Sequence, residues 1–290
     1  MKKLFALLAA LLLLASTGST LAEGDFSDVF PDKFLAEGEA PVITETSYQS
    51  QDIWISISTQ RYGRADVYVA DIYVRSLENF QRAYSHGKYG VRNDQVKNIA
   101  DESNAVLAIT GDSSDNFTAG WVIGNGVVER DSRNRVRDLC VIYKNGEMRT
   151  YPRPGNPIHE QITQEKDDIW HTFLFGPSLL DEEGKAITKF DSNIRFTNPR
   201  AVLGYYEPGH YCFVQVDGRS TKSVIESGAL NHGLELKDLA LLMESLGCKA
   251  AYNLDGGRSA MLYFNGGIVS SPASGGKRLI GDILVIKEIR

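Results

Sequence analysis

The stretch AAYNLDGGRSAMLYF, residues 250 to 264, carries the pattern on which the fold prediction rests. An apolar run rich in strand-forming residues ends at Asp255, turns through Gly256 and Gly257, and resumes at Ser259. Two such runs around a glycine turn predict two strands. A carboxylate at this turn would lie where a sheet meets solvent or a ligand, and the glycines would let backbone N–H groups approach that ligand. An ordinary hairpin with Asp-Gly turn chemistry is the alternative interpretation.

A helix is predicted immediately upstream, in LELKDLALLMESLG, residues 234 to 247. Its apolar residues recur at the spacing of one helix face. Asp238 in the first turn suits the helix dipole, and Gly247 is typical of the position just after a helix. The predicted order is therefore helix, short link, strand and Asp-Gly-Gly turn.

Strand-like alternation and tight-turn signals dominate the rest of the chain from residue 52. Asn-Gly, a strong hairpin signal, occurs in IGNGVV and in YKNGEMRTY, and a Pro-Gly turn divides RAVLGYYEPGHYCFVQV. The run AVLAIT, residues 105 to 110, predicts a buried strand that ends at Gly111-Asp112. Residues 78 to 104 are polar and mixed, which predicts a short helix and loops. The sequence thus predicts an α+β fold, with mixed, largely antiparallel sheets packed with a few helices in a single domain.

The first 22 residues are typical of a secretory signal peptide. Lys2 and Lys3 precede an apolar run, and Thr20-Leu21-Ala22 is a small-residue cleavage site. The apolar run is shorter than the roughly 20 residues that span a bilayer. We therefore expect the mature chain to be secreted or to lie in the cell envelope, without insertion into the membrane.

The mature chain is predicted to consist of an arm and one domain. Residues 23–48 are acidic and weakly patterned, which favours a linker or a loosely docked N-terminal arm. Residues 49–290 hold the strand-rich pattern of the domain. The sequence carries no signal that fixes an oligomeric state.

The composition is acidic, with 31 Lys and Arg against 37 Asp and Glu and a formal net charge of −6. Nucleic-acid binding normally uses a basic stripe, so we expect no nucleic-acid partner. An anionic substrate would have to be held by local arginines, because the overall field of the protein does not attract it.

The cysteines Cys140, Cys212 and Cys248 form neither a disulfide framework nor a zinc-binding spacing. An exported protein leaves one disulfide open, but we expect none. We also expect no metal and no cofactor, because the oxygen-rich run DSSDN, residues 112 to 116, lacks the spacing of a dedicated calcium loop.

Four segments, in order, resemble the phosphodiester glycosidase family. They are NPRAVLGY from residue 198, VQVDGRS from residue 214, the helix ending at LGCKAAYNLDGG, and GGKRLIGDILVI from residue 275. Weaker matches are VADIYV, AITGD and FGPSLL, so the resemblance covers about residues 49 to 290. It implies hydrolysis of sugar-1-phosphodiester linkages, with a carbohydrate phosphodiester as the substrate.

Hydrolysis of a glycosyl phosphate needs a carboxylate near the anomeric carbon, as base, nucleophile or cation stabiliser. Three aspartates each follow an apolar run and neighbour a glycine, and these are the catalytic candidates: Asp255, Asp112 and Asp217. The resemblance makes Asp255 the principal one. A turn or cap role is the alternative for each of them.

The same reaction needs a cationic, N–H-rich pocket for the phosphate. Guanidinium groups suit it because their fork can hold two phosphate oxygens at once. The resemblance implies these substrate-binding residues, with Arg200 foremost: Arg200, Arg219, Gly256, Gly257, Arg258, Ser259 and Arg278. A surface ion pair is the alternative role for each arginine.

The chain departs from the family pattern beside Asp255. Arg258 and Ala260 stand where the family usually has a third glycine and a second small hydroxyl residue. If Arg258 points into the pocket, its charge should lower the pKa of Asp255 and favour a highly charged aglycone. If it points away, it braces the turn, and we favour the first arrangement.

We therefore expect an exported hydrolase that cleaves sugar-1-phosphodiester linkages in cell-envelope or extracellular glycopolymers. The alternative is a non-catalytic glycopolymer-binding domain, and a third interpretation is a structural envelope protein that neither binds nor cleaves. Release of free sugar from a sugar phosphodiester distinguishes the hydrolase from both.

Overall fold

The computed structural model describes residues 24–117, 119–132, 138–152, 156–218, 232–273 and 275–289. The predicted signal peptide and Arg219 lie outside this part of the chain. No helix among the described residues is long and apolar enough to cross a membrane.

Strands make up most of the regular structure. In chain order they are β1 (Val42–Ile43), β2 (Ser47–Gln49), β3 (Ile53–Tyr62), β4 (Ala65–Val74), β5 (Phe80–Tyr84), β6 (Asp94–Gln95), β7 (Leu107–Thr110), β8 (Val122–Gly124), β9 (Val127–Arg130), β10 (Leu139–Tyr143), β11 (Met148–Tyr151), β12 (Ile169–Phe173), β13 (Arg200–Glu207), β14 (His210–Val216), β15 (Ala250–Asn253), β16 (Leu262–Phe264), β17 (Gly267–Ile268), β18 (Leu279–Ile280) and β19 (Asp282–Ile286). The α-helices of the described residues are α1 (Val96–Glu102), α2 (Asn156–Glu165) and α3 (Leu236–Ser245).

Two sheets form the body of the domain. The larger has seven strands in the order β1-β2-β3-β4-β14-β13-β15, and the smaller has five in the order β17-β16-β7-β19-β5. Three short strands, β11-β10-β12, form a third sheet. Every pairing among the described strands is antiparallel. The prediction of a single α+β domain with largely antiparallel sheets is confirmed.

The large sheet is buried on both faces over its central strands. One face packs against the five-stranded sheet, where Phe80 contacts the rings of Tyr211 and Phe213 at centroid distances of 5.3 and 5.7 Å. The other face is covered by α3, whose Leu239 and Met243 are completely buried. This confirms the helix predicted over residues 234 to 247 and the face that it buries.

The Asp255 turn joins two sheets. β15 pairs with β13 in the large sheet, whereas β16 pairs with β7 in the five-stranded sheet. The two predicted strands are therefore present, but the hairpin interpretation is wrong because they do not pair with each other. Asp255 consequently lies where the two sheets meet.

Short turns follow their sequence signals closely. Asn125 and Gly126 both have positive φ, 54° and 74°, and they join β8 to β9. The other Asn-Gly pair, with Gly146 at φ 86°, joins β10 to β11, and the Pro-Gly turn joins β13 to β14. The segment 78–104 contains α1, as predicted, but it also contains β5, which the sequence pattern did not indicate.

The N-terminal segment packs against the large sheet. β1 and β2 extend that sheet beyond β3, and Phe26 is 6% exposed within the main core. The Phe26 ring lies over Gly146 and Gly209, where a Cβ would lie 2.6 Å from ring atoms in each case. Gly146 and Gly209, one in each of two turns, thus leave the space that the Phe26 ring of the arm occupies.

We expect Phe26→Ala to lower the free energy of unfolding by about 3 kcal/mol, because it empties a buried aromatic site. Phe196→Ala is the matched control, since Phe196 is 58% exposed and its truncation should change stability by about 0.5 kcal/mol or less. Urea unfolding of both variants measures the difference. Equal effects would show that the arm does not contribute to the core.

Candidate active site

Three aspartates and one arginine converge where the two sheets meet. We call Asp112, Asp255, Asp282 and Arg82 the carboxylate cluster. Asp112 follows β7, Asp255 follows β15, Asp282 begins β19, and Arg82 lies on β5. The backbone joins these elements, because the N–H of Asp255 donates to the carbonyl of Gly111 at 3.0 Å.

Arg82 lies at the centre of the cluster, and its side chain is completely buried. Its Nε donates to Asp282 Oδ2 at 2.8 Å, and its Nη1 donates to the carbonyl of Thr172 at 3.0 Å. Its Nη2 donates to Ser114 Oγ at 2.8 Å and lies 3.6 Å from Asp112 Oδ2. Burial alone would lower the pKa of Arg82, but the charges around it, chiefly Asp282, hold that pKa above its ordinary value.

Asp282 anchors the loop after β7. Its Oδ2 accepts the N–H of Asp112 at 3.0 Å, and its Oδ1 accepts the N–H of Ser113 at 2.9 Å. A Cβ at Gly111 would collide with this carboxylate, so only glycine fits there. Asp282 was not among the predicted residues, although Gly281-Asp282 repeats the Gly-Asp adjacency of Gly111-Asp112.

Asp112 is completely buried and faces the polypeptide rather than solvent. Its Oδ1 accepts the N–H groups of Leu174 and Phe175, each at 2.7 Å. Burial raises the pKa of Asp112 to about 6, against the opposing influence of Arg82. Asp112 therefore fixes the segment after β12 and balances the charge of Arg82.

Asp255 is partly exposed, unlike Asp112 and Asp282. Its Oδ2 accepts a hydrogen bond from Ser113 Oγ at 2.6 Å, and the Ser259 hydroxyl also bonds to the carboxylate. Burial raises the pKa of Asp255 above its ordinary value, while the two serines and Arg92 oppose that shift. The result is a carboxylate with a fixed orientation and one accessible side.

Arg92 is the arginine whose charge acts on Asp255 and on Asp282. Its Nε and Nη2 bind the Asp115 carboxylate at 3.0 and 3.4 Å. The two side chains are 22% and 10% exposed, so this pair borders on solvent. Sequence reasoning missed Arg92 because it lies in the mixed segment 78–104, outside the motifs of the resemblance.

The foremost predicted arginine, Arg200, makes hydrogen bonds to carbonyl groups outside the carboxylate cluster. Arg200 is buried, and its Nε donates to the carbonyl of Leu234 at 3.0 Å. Its Nη2 donates to the carbonyls of Ile194 at 2.8 Å and Phe196 at 2.6 Å, so the guanidinium ties loops together.

Arg258 and Arg278 are exposed. The pKa of Asp255 is raised rather than lowered, and the arginine that opposes this shift is Arg92. The expected effect of Arg258 on the pKa of Asp255 stays a prediction.

The two glycines after Asp255 pack the turn against Pro199. The N–H of Gly257 donates to the Pro199 carbonyl at 2.9 Å, and a Cβ at Gly256 would lie 2.7 Å from the same oxygen. The carbonyl of Ser259 accepts a hydrogen bond from Thr110 Oγ1 of β7. The turn is thus fixed on one side to the large sheet and on the other to the five-stranded sheet.

Asp217 directly follows β14 and is buried at the same end of the large sheet as Asp255. Its Oδ2 accepts the N–H of Ser271 at 2.7 Å, and it also bonds to the Tyr68 hydroxyl. Burial raises its pKa. β13 separates its strand from β15, which places the two strands about 10 Å apart. Its described bonds hold the loop after β17 to the large sheet.

A cavity of about 670 Å³ borders the cluster at Phe175, whose N–H binds Asp112. Phe190 and Lys189 line it, and Ile194, whose carbonyl binds Arg200, forms part of its wall. Asp255 does not line this cavity. The cavity therefore lies beside the cluster, and Asp112 fixes the backbone of Phe175, one of the residues that line it.

One group of side chains among the described residues could hold a metal ion. The ligand atoms of His86, Asp94 and Glu102, none of which belongs to the carboxylate cluster, lie within 4.8 Å of one another. One oxygen of Asp94 already accepts the Gln95 N–H and the Asn98 amide, each at 2.7 Å. Within the cluster itself, the Arg82 guanidinium occupies the position between the carboxylates where a cation would bind.

Solved structures share this α+β fold. The zebrafish N-acetylglucosamine-1-phosphodiester alpha-N-acetylglucosaminidase catalytic domain, auto-inhibited by its pro-peptide, matches with a TM-score of 0.62 and 19% identity, over 82% of this chain and 83% of that one. A hypothetical protein from Synechocystis matches with a TM-score of 0.59 and 13% identity, over 86% and 64% of the two chains. The fold is thus of the class seen in a phosphodiester-cleaving glycosidase domain.

Sequence comparison identifies the family. A family model described as phosphodiester glycosidase matches residues 103–287, and the chain belongs to the phosphodiester glycosidase family. The SPbeta prophage-derived uncharacterized protein YomE of Bacillus subtilis is 27% identical over 208 residues, which cover 68% of this chain. The match spans 30% of the length of YomE.

We expect Arg82→Met to lower the free energy of unfolding by about 3–5 kcal/mol, because it leaves two buried carboxylates without their counter-ion. Arg61→Met is the control, since Arg61 pairs with Asp66 at 2.6 Å while its side chain is 46% exposed. Loss of such an exposed pair costs about 1 kcal/mol or less. Urea unfolding at neutral pH compares the two, and a mild effect of Arg82→Met would contradict the central position of Arg82.

Proposed function

We propose that this protein is an exported hydrolase that cleaves sugar-1-phosphodiester linkages in cell-envelope or extracellular glycopolymers. Membership of the phosphodiester glycosidase family supports hydrolysis of phosphodiester-linked sugars. The signal-peptide pattern of residues 1–22 supports export. The observation that carries the catalytic assignment is that Asp255 alone, of the three clustered aspartates, has an accessible side.

Asp255 would act on the anomeric carbon. Cleavage of a glycosyl phosphate develops positive charge on the sugar ring, and a carboxylate at that carbon stabilises it or attacks it. Ser113 and Ser259 donate hydrogen bonds to Asp255, which orient the carboxylate and favour its ionised form. Because burial raises the pKa of Asp255, its ionised form is also a better base than an exposed aspartate.

Arg92 would bind the phosphate. Asp115 holds its Nε and Nη2, and no hydrogen bond to its Nη1 is found among the described residues. A guanidinium oriented in this way can stabilise the negative charge that grows on the departing phosphate. Arg92 lowers the pKa of Asp255, and Asp255 is among the charges that act on Arg92, which supports assigning both residues to one substrate site.

The buried members of the cluster would support these two residues without touching the substrate. Asp282 binds the N–H of Ser113, whose hydroxyl binds Asp255. Arg82 pairs with Asp282 and lies 3.6 Å from Asp112 Oδ2, so its single positive charge offsets part of the negative charge of the buried carboxylates near Asp255. Asp282 and Ser113, which orient the Asp255 carboxylate, are thus held in place by the buried Arg82 guanidinium.

The neighbouring cavity would accommodate the rest of the substrate. Its volume of about 670 Å³ lies in the range of small-molecule sites. Phe175 and Phe190 offer ring faces, and Lys189 and Asn193 offer hydrogen-bond donors. This mixture suits a sugar or the aglycone of a glycosyl phosphodiester.

We expect Asp255→Asn to reduce turnover by a factor of about 100 or more while the fold survives. Burial already disfavours the charged form of Asp255, so a neutral side chain should not destabilise the protein. The measurement is release of free sugar from a panel of UDP-sugars and other sugar phosphodiesters, with circular dichroism to check the fold. Asp66→Asn, at an exposed aspartate of β4, is the matched control and should remain active.

Near-normal turnover in folded Asp255→Asn would remove this residue from the mechanism. Binding of the panel by the wild-type protein without any sugar release would favour the non-catalytic glycopolymer-binding alternative. Neither binding nor release would favour a structural envelope protein.

We expect Arg92→Met to lower kcat/KM by about 100-fold, and Arg92→Lys to restore only part of it, because a point charge cannot reproduce the guanidinium fork. The positive charge of Arg92 lowers the pKa of Asp255, so its removal should shift the acidic limb of the pH–rate profile to higher pH. Arg61→Met, at an arginine whose side chain is 46% exposed, is the control and should leave both quantities unchanged. If the pH–rate profile of Arg92→Met is not shifted, Arg92 does not influence the ionisation of Asp255 and the assignment is wrong.

A further inference from the structure

Two of the three cysteines lie close together on the face of the large sheet that α3 covers. Cys212 lies on β14 and Cys248 lies in the link between α3 and β15, and their sulfur atoms are 3.7 Å apart. The two residues are 0% and 3% exposed. Cys140, on β10, is buried in the core on the opposite face of the large sheet.

Gly204 leaves the space in which the two cysteine sulfurs lie close together. β14 and β15 are not neighbours, because β13 runs between them, and Gly204 of β13 pairs with Cys212. A Cβ at Gly204 would lie 2.5 Å from the sulfur of Cys212 and 2.9 Å from that of Cys248. The space that a side chain would fill on β13 is therefore where the two sulfurs meet.

Three polar groups meet at this point. The Tyr206 hydroxyl forms hydrogen bonds with both thiols. The hydrogen bond between the two thiols lowers the pKa of Cys248 and raises that of Cys212. The two sulfurs are thus already in direct contact.

We propose that Cys212 and Cys248 are a disulfide site, joined when the chain folds in an oxidising environment. A disulfide bond is about 2.05 Å long, so the sulfurs must approach by roughly 1.6 Å, within the space left by Gly204. This proposal does not depend on the catalytic assignment. It replaces the expectation from spacing alone that the cysteines stay unpaired.

The oxidant is a small disulfide such as oxidised glutathione, or a protein dithiol oxidant. The thiolate of one of the two cysteines attacks one sulfur of that disulfide, forming a mixed disulfide and releasing the first thiol. The other cysteine then loses its proton and attacks the sulfur of the first, which releases the second thiol. Two electrons pass to the oxidant, and the two protons of the cysteines end on its two thiols. Because the pair is buried in the folded chain, exchange takes place before the strands close over it.

The cross-link would fasten the two strands that deliver Asp217 and Asp255. It closes a loop that contains the end of β14 and all of α3, and closure of such a loop restricts the unfolded chain. We expect the oxidised protein to melt roughly 5–10 °C above the reduced one.

The decisive measurement uses the full chain folded either in a glutathione redox buffer or in excess reductant. Each sample is denatured, its free thiols are alkylated, and peptides are mapped by mass spectrometry. We expect a Cys212–Cys248 linked peptide, with Cys140 alone alkylated, in the oxidised sample, and all three cysteines alkylated in the reduced one. Three free thiols after folding in the oxidising buffer, or a linked peptide that contains Cys140, would overturn the proposal.

Variants give a second readout. Cys212→Ser and Cys248→Ser should each abolish the difference in melting temperature between oxidised and reduced protein, and Cys140→Ser, the matched control, should retain it. If either serine variant fails to fold, the peptide map of the wild-type chain still decides the question. A redox-dependent melting temperature that survives in Cys212→Ser would contradict the assignment.

Discussion

The structure depends on one buried charge interaction, in which Arg82 is surrounded by Asp282 and Asp112. Removing a guanidinium and two carboxylates from water is costly unless the charges are paired. Here Arg82 donates hydrogen bonds to Asp282, Thr172 and Ser114, and its Nη2 lies 3.6 Å from Asp112 Oδ2. The same carboxylates bind the backbone N–H groups of the segments after β7 and β12. Through these two carboxylates, Arg82 holds in place the segments that follow β7 and β12. Asp255 lies at the edge of the same carboxylate cluster.

Local structure was predictable from the sequence because its causes are local. The amphipathic spacing of residues 234 to 247 specifies α3, and the Asn-Gly and Pro-Gly pairs specify their turns. The strands on either side of Asp255 were also evident from their composition. Their membership of two different sheets was not, because a strand pattern identifies which residues pair with a neighbour but not which neighbour it is.

The site was only partly predictable, since its contacts join distant residues. Asp255 and Asp112 could be found because each follows an apolar run and neighbours a glycine, and Asp282 also neighbours a glycine. Arg82 and Arg92 had no such signal, because a lone arginine in a mixed segment does not reveal that it will meet a carboxylate 200 positions away. For Arg200, the resemblance singled out the residue, but its hydrogen bonds to carbonyl oxygens are evident only from the structure.

The position of Asp255 on the link between two sheets has a consequence for when the protein becomes active. Residues 82, 112, 255 and 282 come together only after both sheets have formed and packed, so a chain that is still unfolded has no assembled site. A folding intermediate in which only one of the two sheets has formed would therefore lack the site. The long separation of these residues along the chain thus ties assembly of the site to completion of the fold.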